Sequence, residues 1–321
     1  MTANLTTILD ELTETHRERG ADASVATMTL VVFFEDSAIG NLARDRIRML
    51  ASKHPSRVVV LDGSQDQGAH RVDGCDWIEL GANGSAPETL RSAVDALRVV
   101  EAPVVLLWIA PGIGSDPRFA MLSDSVQTVV YNSSLLAAGS EALCELVEYV
   151  DRHPAAPITD IAYLRLAPWQ ECVAIFFDGK DVEQLRDLEH VEIDCGSDPE
   201  AYYLLGWLAS RLGWTPCGGN ALRNGFGKQI TFEIRRQGEP RRVAGIALRS
   251  SQATFLAKVE NDQATILLSA SGSDRHGTRY RAINNTGIAA LVERAILWGR
   301  NDKIFAAALA AAGGILAKQQ R

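Results

Sequence analysis

The residues that could carry chemistry are spread thinly through this sequence, and three glycine-bearing stretches are the first to test. After the apolar run 27–34 comes Glu35-Asp-Ser-Ala-Ile-Gly40, and after the run 103–110 comes Pro111-Gly-Ile-Gly-Ser-Asp-Pro117. A dinucleotide fingerprint needs GxGxxG, so that bare backbone approaches a pyrophosphate at a helix N-terminus. The first stretch lacks those glycines, and the second puts Pro117 where a helix-packing residue belongs. Both read as strand-to-helix loops. Gly225-Phe-Gly-Lys228 has no Ser or Thr after its lysine and runs into a strand, so it is not a phosphate-binding P-loop.

Side-chain chemistry is equally dispersed. Cys75, Cys144, Cys172, Cys195 and Cys217 form no CxxC and no zinc spacing, which reads as five reduced thiols and no metal. No GxSxG or HExxH occurs. His54-Pro-Ser-Arg57 either offers His54 and Arg57 to an anion or a partner, or stops a helix with Arg57 at a strand entrance. The arginine groups Arg235-Arg236, Arg241-Arg242, Arg275-His276, Arg279 and Arg281 suit a phosphorylated sugar, an acidic protein face, or simply solvated turns. Trp169, Trp207, Trp214, Phe176 and Phe177 suit a docking surface or a core, because large rings dominate both.

The elements that must position these residues change character near His153-Pro-Ala-Ala-Pro157. Before it, continuous apolar runs at 27–34, 57–62, 103–110 and 128–131, with a short strand at 76–80, alternate with helices at 41–53, 87–100 and 140–150. Strands apolar on both sides belong to a sheet covered on both faces. Residues 1–20 read as a solvent-facing helix, and 35–37 as a helix cap. After the boundary come Trp-rich helices, a strand at 191–194, a helix capped by Asp198-Pro199, and a glycine- and asparagine-rich loop at 217–228. Alternating strands at 229–235, 243–249, 254–260 and 263–270, joined by hairpin turns, then lead into helix from 285 to 316, with a break at Gly313-Gly314. The expected architecture is α/β: an open, mostly parallel sheet over 1–155, then an α+β domain over 156–321 with an antiparallel meander.

Composition narrows the function classes. At 321 residues with 46% hydrophobic and 22% charged residues, the chain is a globular protein long enough for two cores. Its longest apolar run, 304–317, is too short to cross a bilayer, and the start lacks a secretory pattern, so a cytoplasmic location and no membrane partner are expected. The net charge of −8 hides an asymmetry: residues 221–321 carry 16 Lys+Arg against 7 Asp+Glu, leaving 16 against 33 for residues 1–220. The basic part has no nucleic-acid motif, so no nucleic-acid partner is expected.

Four segments together resemble the glucose-6-phosphate dehydrogenase assembly protein family, OpcA. They are His54-Pro-Ser-Arg57 with Val58-Val-Val60; the strand 103–108 with Pro111; Asp160-Ile-Ala-Tyr-Leu-Arg-Leu-Ala-Pro-Trp169 with Phe176-Phe-Asp178; and Leu204-Leu-Gly-Trp-Leu-Ala-Ser-Arg-Leu-Gly-Trp214. The sequence departs from the family where Gln170 replaces the usual arginine and where Leu107-Trp108 replaces a tandem tryptophan. The resemblance implies a non-enzymatic allosteric partner that favours the active oligomer of glucose-6-phosphate dehydrogenase and so supports NADPH supply. It implies no cofactor. Docking is expected around Arg165, Trp169, Gln170, Trp207 and Arg211, then at His54, Arg57, Arg235 and Arg236. The alternatives are a sugar-phosphate enzyme of lactonase or isomerase type working through His54, Asp62 or Asp36, and a module that senses a phosphosugar effector without turnover.

Overall fold

Continuous burial of every residue in Met28–Phe34 and Val104–Ile109 places these strands in the middle of a sheet covered on both sides. The computed structural model describes residues 6–12, 14, 26–72, 76–136, 138–178, 180–237, 242–260, 265–272, 277–282, 287–298 and 302–319. The chain forms two compact units, and neither is continuous in sequence. The first takes residues 1–136, 148–160 and 288–300, and the second takes the remainder.

In the first unit, β1 (Met28–Phe34), β2 (Ser56–Asp62), β4 (Trp77–Gly81), β5 (Val104–Ile109), β6 (Thr128–Tyr131) and β7 (Ile158–Asp160) run parallel. An antiparallel edge strand, β3 (Ala69–Val72), completes the order β3-β4-β2-β1-β5-β6-β7. Helices α1 (Ser37–Ala51), α2 (Pro87–Leu97) and α3 (Pro117–Ser123) connect these strands. The next helix, α4 (Gly139–Arg152), passes from the second unit to the first after Val147. Helix α8 (Ile288–Trp298) also belongs to the first unit, although it lies far away in sequence. Ile158–Asp160 is strand, where helix was expected. Its two β-branched residues extend the sheet by pairing with Val129 and Val130. The N-terminal helix is described over residues 6–12, and it buries Ile8 and Leu12, so it is not solvent-facing all round.

In the second unit, α5 (Ile161–Leu164), α6 (Ala167–Phe176) and α7 (Asp198–Leu212) flank β8 (Leu188–Cys195) in sequence. Strands β9 (Thr215–Gly218) and β10 (Ala221–Arg223) occupy the stretch expected to be loop. They are followed by β11 (Gln229–Arg235), β12 (Val243–Ser250), β13 (Thr254–Val259), β14 (Thr265–Ser271) and β15 (Gly277–Ala282). The sheet order is β15-β14-β13-β12-β8-β11-β10-β9. The expected four-strand meander is therefore interrupted. β11 pairs parallel with β8, and β12 pairs antiparallel with β8 on its other side, so the link after Arg235 crosses over β8 and is not a hairpin. β8 holds the centre because Leu188, Val191, Ile193 and Cys195 are all buried. The expected turn at 260–262 falls between β13 and β14, with 261–262 outside the described residues.

The last helix, α9 (Lys303–Gln319), continues through Gly313-Gly314 without a break. A Cβ on Gly313 would stand 2.8 Å from the Val147 side chain, so this glycine serves close packing and not a bend. Gly206 does the same in α7, where a Cβ would meet Ala308 O at 2.4 Å.

Candidate functional site

In an open parallel sheet, ligands bind beyond the carboxyl ends of the strands, where the strand order reverses. Here that point lies between β1 and β5, which are neighbours whose onward connections run in opposite directions. The residues that arrive there are Glu35 and Asp36 after β1, and Gly112 to Arg118 after β5.

Several potential anion-binding groups at this point are already engaged. Asp36 caps α1, its Oδ1 accepting from Ala38 N at 2.8 Å and Ile39 N at 3.0 Å. Those backbone donors are the ones a bound phosphate would use. The Phe34 ring lies against the same turn, 2.3 Å from where a Cβ on Gly40 would stand. After β5, Gly112 adopts a left-handed φ of 79°, and Asp116 caps α3 by accepting from Arg118 N at 2.8 Å. The Arg118 guanidinium spans the crevice, donating to Asp116 Oδ2 at 2.5 Å and Glu35 Oε1 at 2.5 Å while lying 4.9 Å over the Phe33 ring. The hydrogen bonds it donates to Asp116, and then to Glu35, hold its pKa above the usual arginine value against the opposing effect of burial.

Next to it, Asp62 at the end of β2 stands where a ribose-binding acid would stand. It accepts from Arg44 Nη2 at 2.6 Å and from the Ser64 hydroxyl at 2.6 Å. Arg44 also forks onto Glu79, at 2.9 Å from Nη2 and 3.1 Å from Nε, and stacks over Phe34 at 4.9 Å. Burial works against its charge, but the bonds to Glu79 and Asp62 outweigh it and raise its pKa. This internal ion cluster joins residues 18 and 35 apart in sequence, and no motif announces it.

Of the residues considered for an acid/base pair, Asp36 and Asp62 reach the same crevice, one capping α1 and the other held by Arg44, while His54 stands apart from both. His54 precedes β2, and its Nε2 lies 3.0 Å from Glu293 Oε1. Asp62 ends that seven-residue strand, which alone spans roughly 20 Å at ~3.3 Å per residue. Arg57 is stitched to Leu97 O at 3.0 Å and Asp76 at 3.3 Å, in keeping with a strand-entrance role.

The expected docking residues separate into core and surface. Trp169 is 5% exposed, and Trp214 is also 5% exposed, so both indoles pack inside the fold. Phe176 and Phe177 are buried too and meet Phe255, at 5.6 and 4.8 Å between ring centroids. Of the two readings left open for these rings, docking surface or core, the burial of these four favours core. Arg165 pairs with Glu200, a carboxylate that is 1% exposed. Gln170 is half-buried, Trp207 is half-buried and Arg211 is exposed, so Trp207 and Arg211 remain available at the surface. Arg235 binds Asp194 at 2.6 Å and also Glu192, while Arg236 binds Asp198 at 2.6 Å. Arg281 pairs with Glu171. Arg241, Arg275 and His276 lie outside the described residues.

His190, Glu192 and Glu233 gather their donor atoms within 4.8 Å of one another on β8 and β11. Sequence reading missed this group because parallel pairing, with Glu192 opposite Glu233, creates it. Two guanidiniums, from Arg235 and Arg249, already occupy Glu192.

Cys144, Cys172, Cys195 and Cys217 form no disulfide, and Cys75 lies outside the described residues. Burial pushes Cys195 up to about 12 and Cys172 up to about 11. At pH 8 iodoacetamide is expected to label exposed Cys217 and leave Cys172 and Cys195 untouched until the chain unfolds, as peptide mass spectrometry would read. Labelling of Cys195 in the folded chain would contradict the burial. Folding holds these protons, so the unfolded thiols ionise first, and the stability they contribute falls as pH climbs above about 9.

Two family models match the chain. One is described as the glucose-6-phosphate dehydrogenase subunit N-terminal domain, over residues 47–148, and the other as its C-terminal domain, over residues 156–309. Two similar proteins carry the provisional name OxPP cycle protein OpcA. The one from Nostoc punctiforme is 32% identical over 155 residues, covering 47% of this chain and 33% of that protein. The one from Synechocystis sp. is 30% identical over 145 residues, covering 44% of this chain and 30% of that protein. The match thus spans about a third of the length of these relatives. Among solved structures, the 3-ketoreductase KijD10 of Actinomadura kijaniata, with TDP-benzene and NADP, superposes with a TM-score of 0.56 at 10% identity, covering 91% of this chain and 96% of that one. A provisionally assigned oxidoreductase of Magnetospirillum magnetotacticum gives 0.54 at 11% identity, covering 91% and 98%. At such low identity these likenesses establish the shared α/β fold alone. No helix among the described residues is long and apolar enough to cross a membrane. With both halves matched in order, this chain belongs to the OpcA family, whose two domains are described as those of a glucose-6-phosphate dehydrogenase subunit.

Proposed function

We propose that this chain is a non-enzymatic partner of glucose-6-phosphate dehydrogenase that binds its active oligomer and so raises NADPH output from the oxidative pentose phosphate pathway. The observation that carries this reading is the crevice at the ends of β1, β2 and β5. The fold is shared with dinucleotide-dependent reductases, but here Asp36 takes the helix donors, Arg118 bridges the strand ends and Arg44 holds Asp62. A pyrophosphate entering there would face two exposed carboxylates on the loop after β1, Glu35 and Asp36. The scaffold is kept and its ligand position is filled from within, which suits a protein that works by binding another protein.

Such a partner acts by differential affinity. If it binds the competent oligomer better than the incompetent one, it shifts that equilibrium by the difference. A preference of ~1.4 kcal/mol changes the ratio tenfold. The expected result is that dehydrogenase at nanomolar concentration gains activity on addition of this chain, and that the two co-elute in size exclusion. Unchanged activity together with separate elution would overturn the proposal. So would turnover of phosphosugars by the isolated chain.

A further inference from the structure

The turn at 224–228 joins β10 to β11 and ends in an exposed ring. Phe226 is 74% exposed, more than any other aromatic side chain among the described residues. A single exposed apolar residue is ordinary. This one is held rigidly. Asn224 is 7% exposed, and its Oδ1 accepts from Phe226 N at 3.0 Å and from Lys228 N at 2.9 Å. Its Nδ2 donates to Arg186 O at 3.1 Å, tying the turn to the segment before β8. Asn224 N donates to Lys228 O at 2.9 Å, Gly227 N donates to Asn224 O at 3.0 Å, and Gly227 takes a left-handed φ of 85°. A Cβ on Gly225 would touch nothing within 4 Å, so among the described residues none packs against that side of the turn.

The charges around the ring are also arranged. Lys228 is committed to Asp187 O at 2.9 Å and to Glu189 at 3.1 Å. The exposed Arg186 guanidinium instead stands 5.5 Å over the Phe226 ring, and among the described residues no carboxylate lies within ion-pair distance of it. The surface therefore offers a fixed apolar knob beside one uncompensated cation. A turn needs neither to close a hairpin. Binding needs both, because an anchor fixed in advance loses little freedom on docking, and aromatic and arginine side chains carry most interface energy.

We infer that this turn is a docking anchor that seats Phe226 in an apolar socket on the dehydrogenase, with Arg186 meeting a carboxylate at the socket's rim. The inference rests on the partner reading above. Its test is calorimetric titration of glucose-6-phosphate dehydrogenase from the same organism with the wild-type chain and with Phe226→Ala. The variant is expected to bind about thirtyfold more weakly with its Tm unchanged, since the lost ring lies in solvent. Arg186→Glu is expected to weaken binding about tenfold by placing like charges together. Binding by the wild-type chain that Phe226→Ala does not reduce would overturn the anchor and leave the partner reading standing. Failure of the wild-type chain to bind would remove the partner reading, and the anchor with it.

Discussion

Replacing Gly206 with alanine is expected to lower the stability of the second unit by about 3 kcal/mol, at the upper end of what overpacking costs. Helix propensity alone predicts the opposite sign, a gain of ~1 kcal/mol for alanine over glycine in a helix interior. The contact decides between them. A Cβ here would lie 2.4 Å from Ala308 O, 2.8 Å from Ala312 N and 3.0 Å from Ala312 Cβ. Two of these are backbone atoms of α9, so no side chain can swing aside, and α7 and α9 must separate. Separation opens the core where Tyr203, Leu205, Leu208, Phe305 and Leu309 are buried. In thermal unfolding followed by circular dichroism, a chain of this size should lose roughly 6–12 °C of Tm. Gly225→Ala, with open space around its Cβ, is the matching control and should leave Tm in place. A Gly206→Ala protein as stable as wild type would show that the two helices do not approach as described.

Arg44→Ala should be comparably damaging, by a different route. Its guanidinium is the shared cation for Asp62 and Glu79, whose side chains are 5% and 13% exposed. Removing one partner of a buried pair strands the charge that remains, which costs about 3–5 kcal/mol. Arg44 itself retains 15% exposure, so the lower end of that range is expected, near 3 kcal/mol. Asp62 keeps its bonds to Ser64 N and Oγ, and Glu79 keeps the Trp77 indole N–H at 2.8 Å, which limits the loss. Urea unfolding would measure it. A triple variant that adds Asp62→Asn and Glu79→Gln should recover much of the deficit, because the stranded charges are then gone. A single-variant cost below about 1 kcal/mol, the range of solvent-exposed pairs, would mean that the cluster is far wetter than its burial implies.

The strands were legible wherever one physical signal sufficed. β1, β2, β5 and β6 are each dominated by an apolar run, and a run of that kind has few places to go except the middle of a sheet. The cap of α1 lies within the expected 35–37, at Asp36, but the helix begins at Ser37 and not at the expected 41, because its first turn, Ser-Ala-Ile-Gly, carries little apolar periodicity. β3 was not readable, since Ala-His-Arg-Val on a half-covered edge has no contrast between its faces. β7 is three residues long, too short for any period. Gly313 was read as a break because propensity is local, whereas its purpose, contact with Val147, is 166 positions away in the chain. The aromatic helices were the hardest case. Trp169 and Trp207 look equivalent in sequence, and only packing separates the buried one from the half-buried one. The ion clusters around Arg44 and Arg118 depend on strand ends meeting, which spacing does not encode.

The place of β8 has a consequence for the chain as it is made. This strand leaves the ribosome well before either of its neighbours: its partners begin at Gln229 and at Val243. Until they arrive, its edges present unpaired N–H and C=O groups along a strand whose apolar Leu188, Val191, Ile193 and Cys195 are interspersed with Glu189, His190, Glu192 and Asp194. The interval covers the synthesis of roughly 55 further residues, several seconds at ~5–20 residues per second. The nascent polypeptide therefore passes through a stage in which the strand that will sit inside the second sheet still has open edges, and the charges on β8 then guard it against pairing with other extended segments.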